Sequence, residues 1–219
     1  MAIALYIDGS ASGTKTLGEL RARIADEIDR SDLSSQIALA IDDAIIEASA
    51  DRFHFNEARG LPFESAAGID AYSSDDISAL TQIDGLYYFD DSGQRRNLCA
   101  ANALEIDRWS EGDAASGEPT RYALQGQMLR LWPVPQQSWT FQIDGVTRLP
   151  PLTADSQHNG WTNDGERLIR AIAKRILLID VLRDYSAAQA QELLVQRYRG
   201  ELLARSYDRA ASGRIAAHG

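Results

Sequence analysis

Apolar residues recur at helical spacing near both ends of this chain, and short alternating segments broken by glycine and proline fill the middle. That order limits the possible folds more than any other feature. Near the N-terminus, Leu17, Leu20, Ile24 and Ile28 share one face of a helix. Thr16-Leu17-Gly18-Glu19 ahead of them reads as a capping box, the threonine hydroxyl taking an orphan N–H while Glu19 reaches back. Asp29-Arg30-Ser31-Asp32 interrupts the pattern, and Asp32 is expected to cap a second helix with Ile37, Ile41 and Ile45 interleaved with Ala40, Ala44 and Ala48. So short a connection predicts a helical hairpin. Toward the C-terminus, Asn163-Asp164-Gly165-Glu166 reads as another helix start, followed by Leu168, Ile172, Ile176 and Ile179 on one face. Ser186-Ala187-Ala188-Gln189 then opens a last helix carrying Leu193, Leu194, Tyr198, Leu202 and Tyr207.

The middle has a different texture. Phe53-His54-Phe55-Asn56-Glu57 alternates with period two, and the segments around Tyr72, Ile83 to Phe89 and Arg121 to Leu124 also suggest strands. Asp90-Asp91-Ser92-Gly93 is a hairpin turn, residues 97–109 suggest one short helix, and 111–118 a polar surface loop. Gly126 to Pro135 leads into Ser138 to Gly145, two alternating strands joined by a connection with two prolines. Proline has no N–H for a ladder, so Pro133 and Pro135 must lie at a sheet edge or in the turn. The predicted class is α+β, mainly α: a helical bundle from the N-terminal and C-terminal helix pairs, with an inserted small antiparallel β subdomain. The expected divisions are an N-terminal arm over 1–15, the bundle over 16–51 and 163–209, the β-rich insert over 52–162, and a flexible basic tail over 210–219.

A formal net charge of −10 argues against a binder that works by neutralising phosphates. The charge is uneven: residues 164–219 hold ten basic against seven acidic side chains, the remainder 12 against 25. A basic helical end on an acidic body suits self-assembly or docking to an acidic partner. Cys99 is the one cysteine, so no intrachain disulfide can form; within the apolar run Leu98 to Leu104 it is expected to be a small buried side chain. No apolar run approaches the ~20 residues that span a bilayer, and the first residues do not resemble a signal peptide. No membrane association is therefore expected.

No residue pattern promises catalysis. Asp42-Asp43, Asp75-Asp76 and Asp90-Asp91 are sequence neighbours, which point in different directions on a helix or strand and seldom act together as acid and base. His54, His158 and His218 lack metal-ligand spacing; Asp155, His158 and Asp164 could gather round a cation, although a polar loop running into a helix cap explains them more simply. No nucleophile elbow, phosphate loop or dinucleotide glycine fingerprint occurs. Neither an enzyme nor a bound cofactor is expected. Trp132, Trp139 and Trp161 with Tyr122 and Phe141 could form a carbohydrate platform, but such aromatics more often build a core or a subunit interface.

Thr16-Leu17-Gly18-Glu19-Leu20-Arg21, Ala44-Ile45-Ile46-Glu47-Ala48 and Arg52-Phe53-His54-Phe55-Asn56-Glu57 resemble the N-terminal half of bacteriophage head-to-tail adaptor (tail accessory, head-completion, connector) proteins. Gly117-Glu118-Pro119-Thr120-Arg121-Tyr122 resembles that family's Pro-x-x-Tyr entry. The glycine, apolar strand, Pro-x-Pro turn and aromatic return strand follow in order, and Asn159-Gly160-Trp161 completes the series. Residues 1–15 have no counterpart, and Tyr72-Ser73-Ser74-Asp75-Asp76 departs from the usual Tyr-x-Leu-Pro-x-Asp. The resemblance implies a virion structural protein, assembled in the bacterial host cytoplasm. It would form a homo-oligomeric, twelve-fold ring beneath the portal protein, extend the DNA channel without binding DNA specifically, and offer a surface to a tail or nozzle protein. Carried onto this chain, it implies portal binding by Tyr207, Arg209, Arg214 and Ile215, and a ring or tail interface at Trp132, Pro133, Pro135, Trp139 and Trp161. The alternative is a carbohydrate- or receptor-binding module of a tail or baseplate.

Overall fold

The structure, a computed structural model, describes residues 14–212 apart from 74–76, 78–79, 112–114 and 127. In chain order the elements are α1 (Leu17–Glu27), α2 (Ser34–Ala48), β1 (Glu57–Glu64), β2 (Ala71–Tyr72), β3 (Leu80–Phe89), β4 (Arg95–Asn97) and β5 (Cys99–Ala100). Next come α3 (Ala103–Ser110), β6 (Ser116–Gly117), β7 (Arg121–Gln125), β8 (Met128–Trp132), β9 (Val134–Pro135) and β10 (Thr140–Thr147). The chain ends in α4 (Gly160–Asn163), α5 (Glu166–Asp180) and α6 (Tyr185–Ser212). This is a mixed α+β fold. It divides into two compact units: the described residues of Met1–Phe55 and Leu149–Gly219, and those of Asn56–Arg148.

In the helical unit, α1 starts as its sequence suggests. Glu19 N–H donates to Thr16 Oγ1 at 3.3 Å, and Thr16 N–H donates to Glu19 Oε2 at 3.0 Å. The next two free N–H groups, of Leu17 and Gly18, donate to the carbonyls of Gln157 and Asp155. α2 carries no side-chain cap, contrary to the expectation for Asp32. Arg30 takes that carboxylate instead, through two bonds of 2.7 Å, and holds its pKa down at about 2. The start expected at Asn163 lies earlier, where Asn159 caps α4 with Thr162 reciprocating, and α5 then begins at Glu166 behind Gly165. Asp184, not Ser186, caps α6, its Oδ1 accepting from Ala187 N–H at 2.9 Å.

α5 packs against both α2 and α6, and α1 packs against α2 and α5. Their shared core includes Leu20, Ile24, Ile37, Ile41, Ala44, Leu168, Ile169, Ile172 and Leu177. In α6 Ala188, Val195 and Leu202 are buried and Leu194 and Tyr198 pack against the core, so the expected stripe holds at Leu194, Tyr198 and Leu202, whereas Leu193 and Tyr207 face out. Phe53-His54-Phe55-Asn56 forms a turn, not a strand, and buried Phe53 joins this core. Trp161 completes it, edge-on to Phe53 and Phe55 with ring centroids 5.9 and 4.9 Å away. Across the unit, Arg175 of α5 bonds Glu47 of α2 and, at 2.7 Å, Glu192 of α6.

The other unit holds two four-stranded sheets, in the orders β1-β10-β3-β4 and β2-β8-β7-β5, and a short β6-β9 pair. The first sheet is antiparallel throughout. β5 runs parallel to β7 and β6 parallel to β9, so the insert is not purely antiparallel. Phe63, Leu86, Tyr88, Phe141 and Ile143 of the first sheet share one core with Tyr72, Tyr122, Leu129 and Leu131 of the second. The residues 97–109 expected as a helix divide among β4, β5 and α3, and Ser116–Gly117 of the expected loop form β6. Leu98, between β4 and β5, turns inward while Cys99 is exposed, against the expectation for the cysteine. Asp90 closes the β3–β4 turn, its Oδ1 accepting from the N–H groups of Ser92 and Gln94.

Candidate functional site

The two strands flanking the prolines do not pair with each other: β8 pairs with β2 and β7, while β10 pairs with β1 and β3. The proline connection therefore carries the chain from one sheet to the other. Its first peptide, Trp132–Pro133, is cis. Pro135 is buried in β9, where a lost N–H costs least because the pairing is only two residues long. Half-buried Trp132 lies against Trp109 of α3 with centroids 5.0 Å apart, and the Arg121 guanidinium stands 5.1 Å from the Trp109 centroid. Beside them Arg130 joins β8 to Asp107 of α3 and, at 3.1 Å, to Asp70. Trp109 and Arg121 belong to this surface although neither stood out in the sequence. Their chain neighbours are unremarkable, and only the β7–α3 packing brings them together.

The other aromatics lie elsewhere. Trp139 is half-buried inside the sandwich, 5.0 Å from the Tyr88 ring, and its backbone pairs with Ser65. Tyr122 and Phe141 are core residues of that unit, and Trp161 is core of the helical unit. Burial removes the shared platform a sugar would need, and it leaves Trp161 no surface to offer an interface in this fold. The five residues expected at a ring or tail interface thus resolve into one cluster, Trp132 to Pro135, a half-buried Trp139 packed against the sandwich core, and Trp161, buried in the helical unit.

At the C-terminal end, Tyr207 and Arg209 are exposed near the close of α6; Arg214 and Ile215 lie outside the described residues. Two residues apart on a helix, Tyr207 and Arg209 point to different sides. The turn before them is anchored. Ser206 Oγ accepts from His54 N–H at 3.1 Å and lies 3.3 Å from His54 Nδ1, while His54 Nε2 lies 3.3 Å from Asp164 Oδ2. His54, together with the nearby positive charge of Arg205 and Arg209, outweighs burial and holds the Asp164 carboxyl below the usual aspartate range. This anchor is invisible in the sequence because His54 lies more than a hundred residues from both Asp164 and Ser206.

Catalytic or metal-binding groups do not converge among the described residues. Asp42 and Asp43 are exposed on α2, Asp90 is committed to its turn, and Asp75 and Asp76 lie outside the described residues. Asp155 binds Arg21 at 2.6 Å and Asp164 faces His54, so the cation cluster considered for Asp155, His158 and Asp164 does not form. No described group of three His, Cys, Asp or Glu side chains could hold a metal ion, and no described helix is long and apolar enough to cross a membrane. What the molecule presents is surface: an aromatic and proline cluster on one unit, and a pinned, exposed helix end on the other.

In a comparison with protein families, the SU10 adaptor protein family matches residues 15–217 of the chain. The chain belongs to that family. No curated protein matches it. Membership makes it a bacteriophage head-to-tail adaptor, a structural rather than enzymatic kind of protein, and implies a virion component that contacts other head or tail proteins.

Proposed function

We propose that this adaptor forms a homo-oligomeric ring, twelve-fold, between the portal and the tail. The ring extends the DNA channel and gives a tail or nozzle protein its attachment surface. The observation that carries the reading is the family match along nearly the whole chain. In this reading the terminal helix pairs act as a four-helix bundle and the strand-rich insert as a separate subdomain. Trp132, Pro133 and Pro135 contribute to the ring or tail interface. The end of α6 contributes to portal binding through Tyr207 and Arg209, and the chain beyond it through Arg214 and Ile215. DNA passes without specific contacts, in keeping with the acidic body of the protein. Assembly takes place in the host cytoplasm.

Support for the portal-binding end comes from α6 itself. Among the described side chains of the helix the last buried one is Leu202 and the last half-buried one Ser206, yet the helix continues through Ser212, so Tyr207 to Arg209 stand exposed past the core. Native mass spectrometry and negative-stain imaging of the protein mixed with its portal should show rings on the portal. Removing the residues after Ser206 should abolish that binding and leave the melting temperature unchanged. A monomer indifferent to portal would overturn the reading.

A further inference from the structure

α2 and α6 are the outer helices of a layer with α5 in its middle, since α5 packs on both, and α6 reaches toward α2 through Arg199, 3.3 Å from Glu47. The faces that α2 and α6 turn away from the shared core are therefore two separate patches of the helical unit. On α2 that face carries Leu39 and Ile46, 65% and 69% exposed and seven residues apart, with exposed Asp42 and Asp43 between them. The helix has no basic residue. On α6 it carries Leu193, 68% exposed, then exposed Arg197, Gly200 and Ala204, at the alternating four and three spacing of a helix–helix seam. α6 holds four arginines against three acids.

Gly200 gives the independent sign. A Cβ there would meet nothing within 4 Å, so packing inside the protomer supplies no reason for a glycine in the middle of a long helix, where alanine is preferred. Close approach of a second helix does supply one. Arg197 is paired with Glu201 at 2.8 Å, an exposed bond easily exchanged for another carboxylate. The geometry points to a head-to-tail contact between copies of this chain: α2 of one copy, through Leu39, Asp42, Asp43 and Ile46, lies on α6 of the next over Leu193, Arg197 and Gly200. Such a contact joins two different patches, and repetition closes a ring when the rotation allows. The inference rests on the ring reading above and names the surfaces that make it.

The test is cross-linking in a Cys99→Ser background, with portal present. The Ile46→Cys, Leu193→Cys double variant, treated with a short bis-maleimide, should give a ladder of covalent oligomers, and each single-cysteine variant should give none. Gly200→Leu should fold and melt at or above the parent's temperature but fail to assemble; Asp42→Arg with Asp43→Arg should fold and also fail to assemble, and adding Arg197→Glu to the latter should restore rings. Dimers from a single-cysteine variant would mean a symmetric contact and overturn the inference. So would rings that form without the ladder, or that persist in Gly200→Leu, although the ring reading would then stand. Absence of any ring in the parent protein with portal would take down both.

Discussion

Glu166 shows how a single residue gathers distant parts of the chain. It is almost fully buried, yet Lys15 and Arg23 reach it at 3.2 Å and Arg170 at 3.3 Å. Burial alone would raise its pKa; Arg170, Lys15 and Arg23 outweigh that and hold it below the ordinary 4.5. A carboxylate with a depressed folded-state pKa contributes stability that is complete above about pH 4.5 and is lost as pH falls through the folded value. Asp164 behaves the same way from its ordinary 3.8. Glu166→Gln keeps the shape and removes the charge. Urea denaturation at pH 7 should show a loss of about 1–3 kcal/mol. The same titration repeated toward pH 3 should show a shallower acid decline than the parent, because the titrating group is gone.

At the scale of the element, glycines separate protomer packing from assembly. Gly145 sits in β10 at a shift of register against β3, and a Cβ there would stand 2.1 Å from the Gln82 carbonyl oxygen. Gly145→Ala should cost about 1–3 kcal/mol through the forced displacement of the sheet. Gly200→Ala, on an open helix face, should instead stabilise the protomer by about 0.5–1 kcal/mol. Thermal melts of the two variants should move in opposite directions. Element by element, the capping box at Thr16 and the stripe of α2 were plain from sequence, since each depends on residues within one or two turns. The turn at Phe53 was not: its alternation imitates a strand, and only Trp161, over a hundred residues away, makes Phe53 a helical-core residue.

For the whole molecule, the strand-rich unit closes on itself. β1 and β10 pair from Glu57 with Val146, and Thr147 N–H donates to the Asn56 carbonyl at 2.8 Å, so the chain enters and leaves at one place. Residues 56–148, expressed alone, should therefore fold, giving dispersed amide resonances and a cooperative melt. An unfolded spectrum would mean that its core needs the helices. The same closure means that deleting the unit and joining Phe55 to Leu149 should leave the core of α1, α2, α5 and α6 intact.

The helix pairs at both ends and the strand-rich middle could be read from the residues because periodicity, caps and turn chemistry act over a few positions, while the adaptor family was legible only as the resemblance of an ordered series of motifs. Parallel pairing of β5 with β7, exposure of Cys99, burial of Trp161 and the His54–Asp164–Ser206 anchor could not. Each depends on which distant segments meet, and alternation along a strand states only that two faces differ. It does not say which of them will find the core.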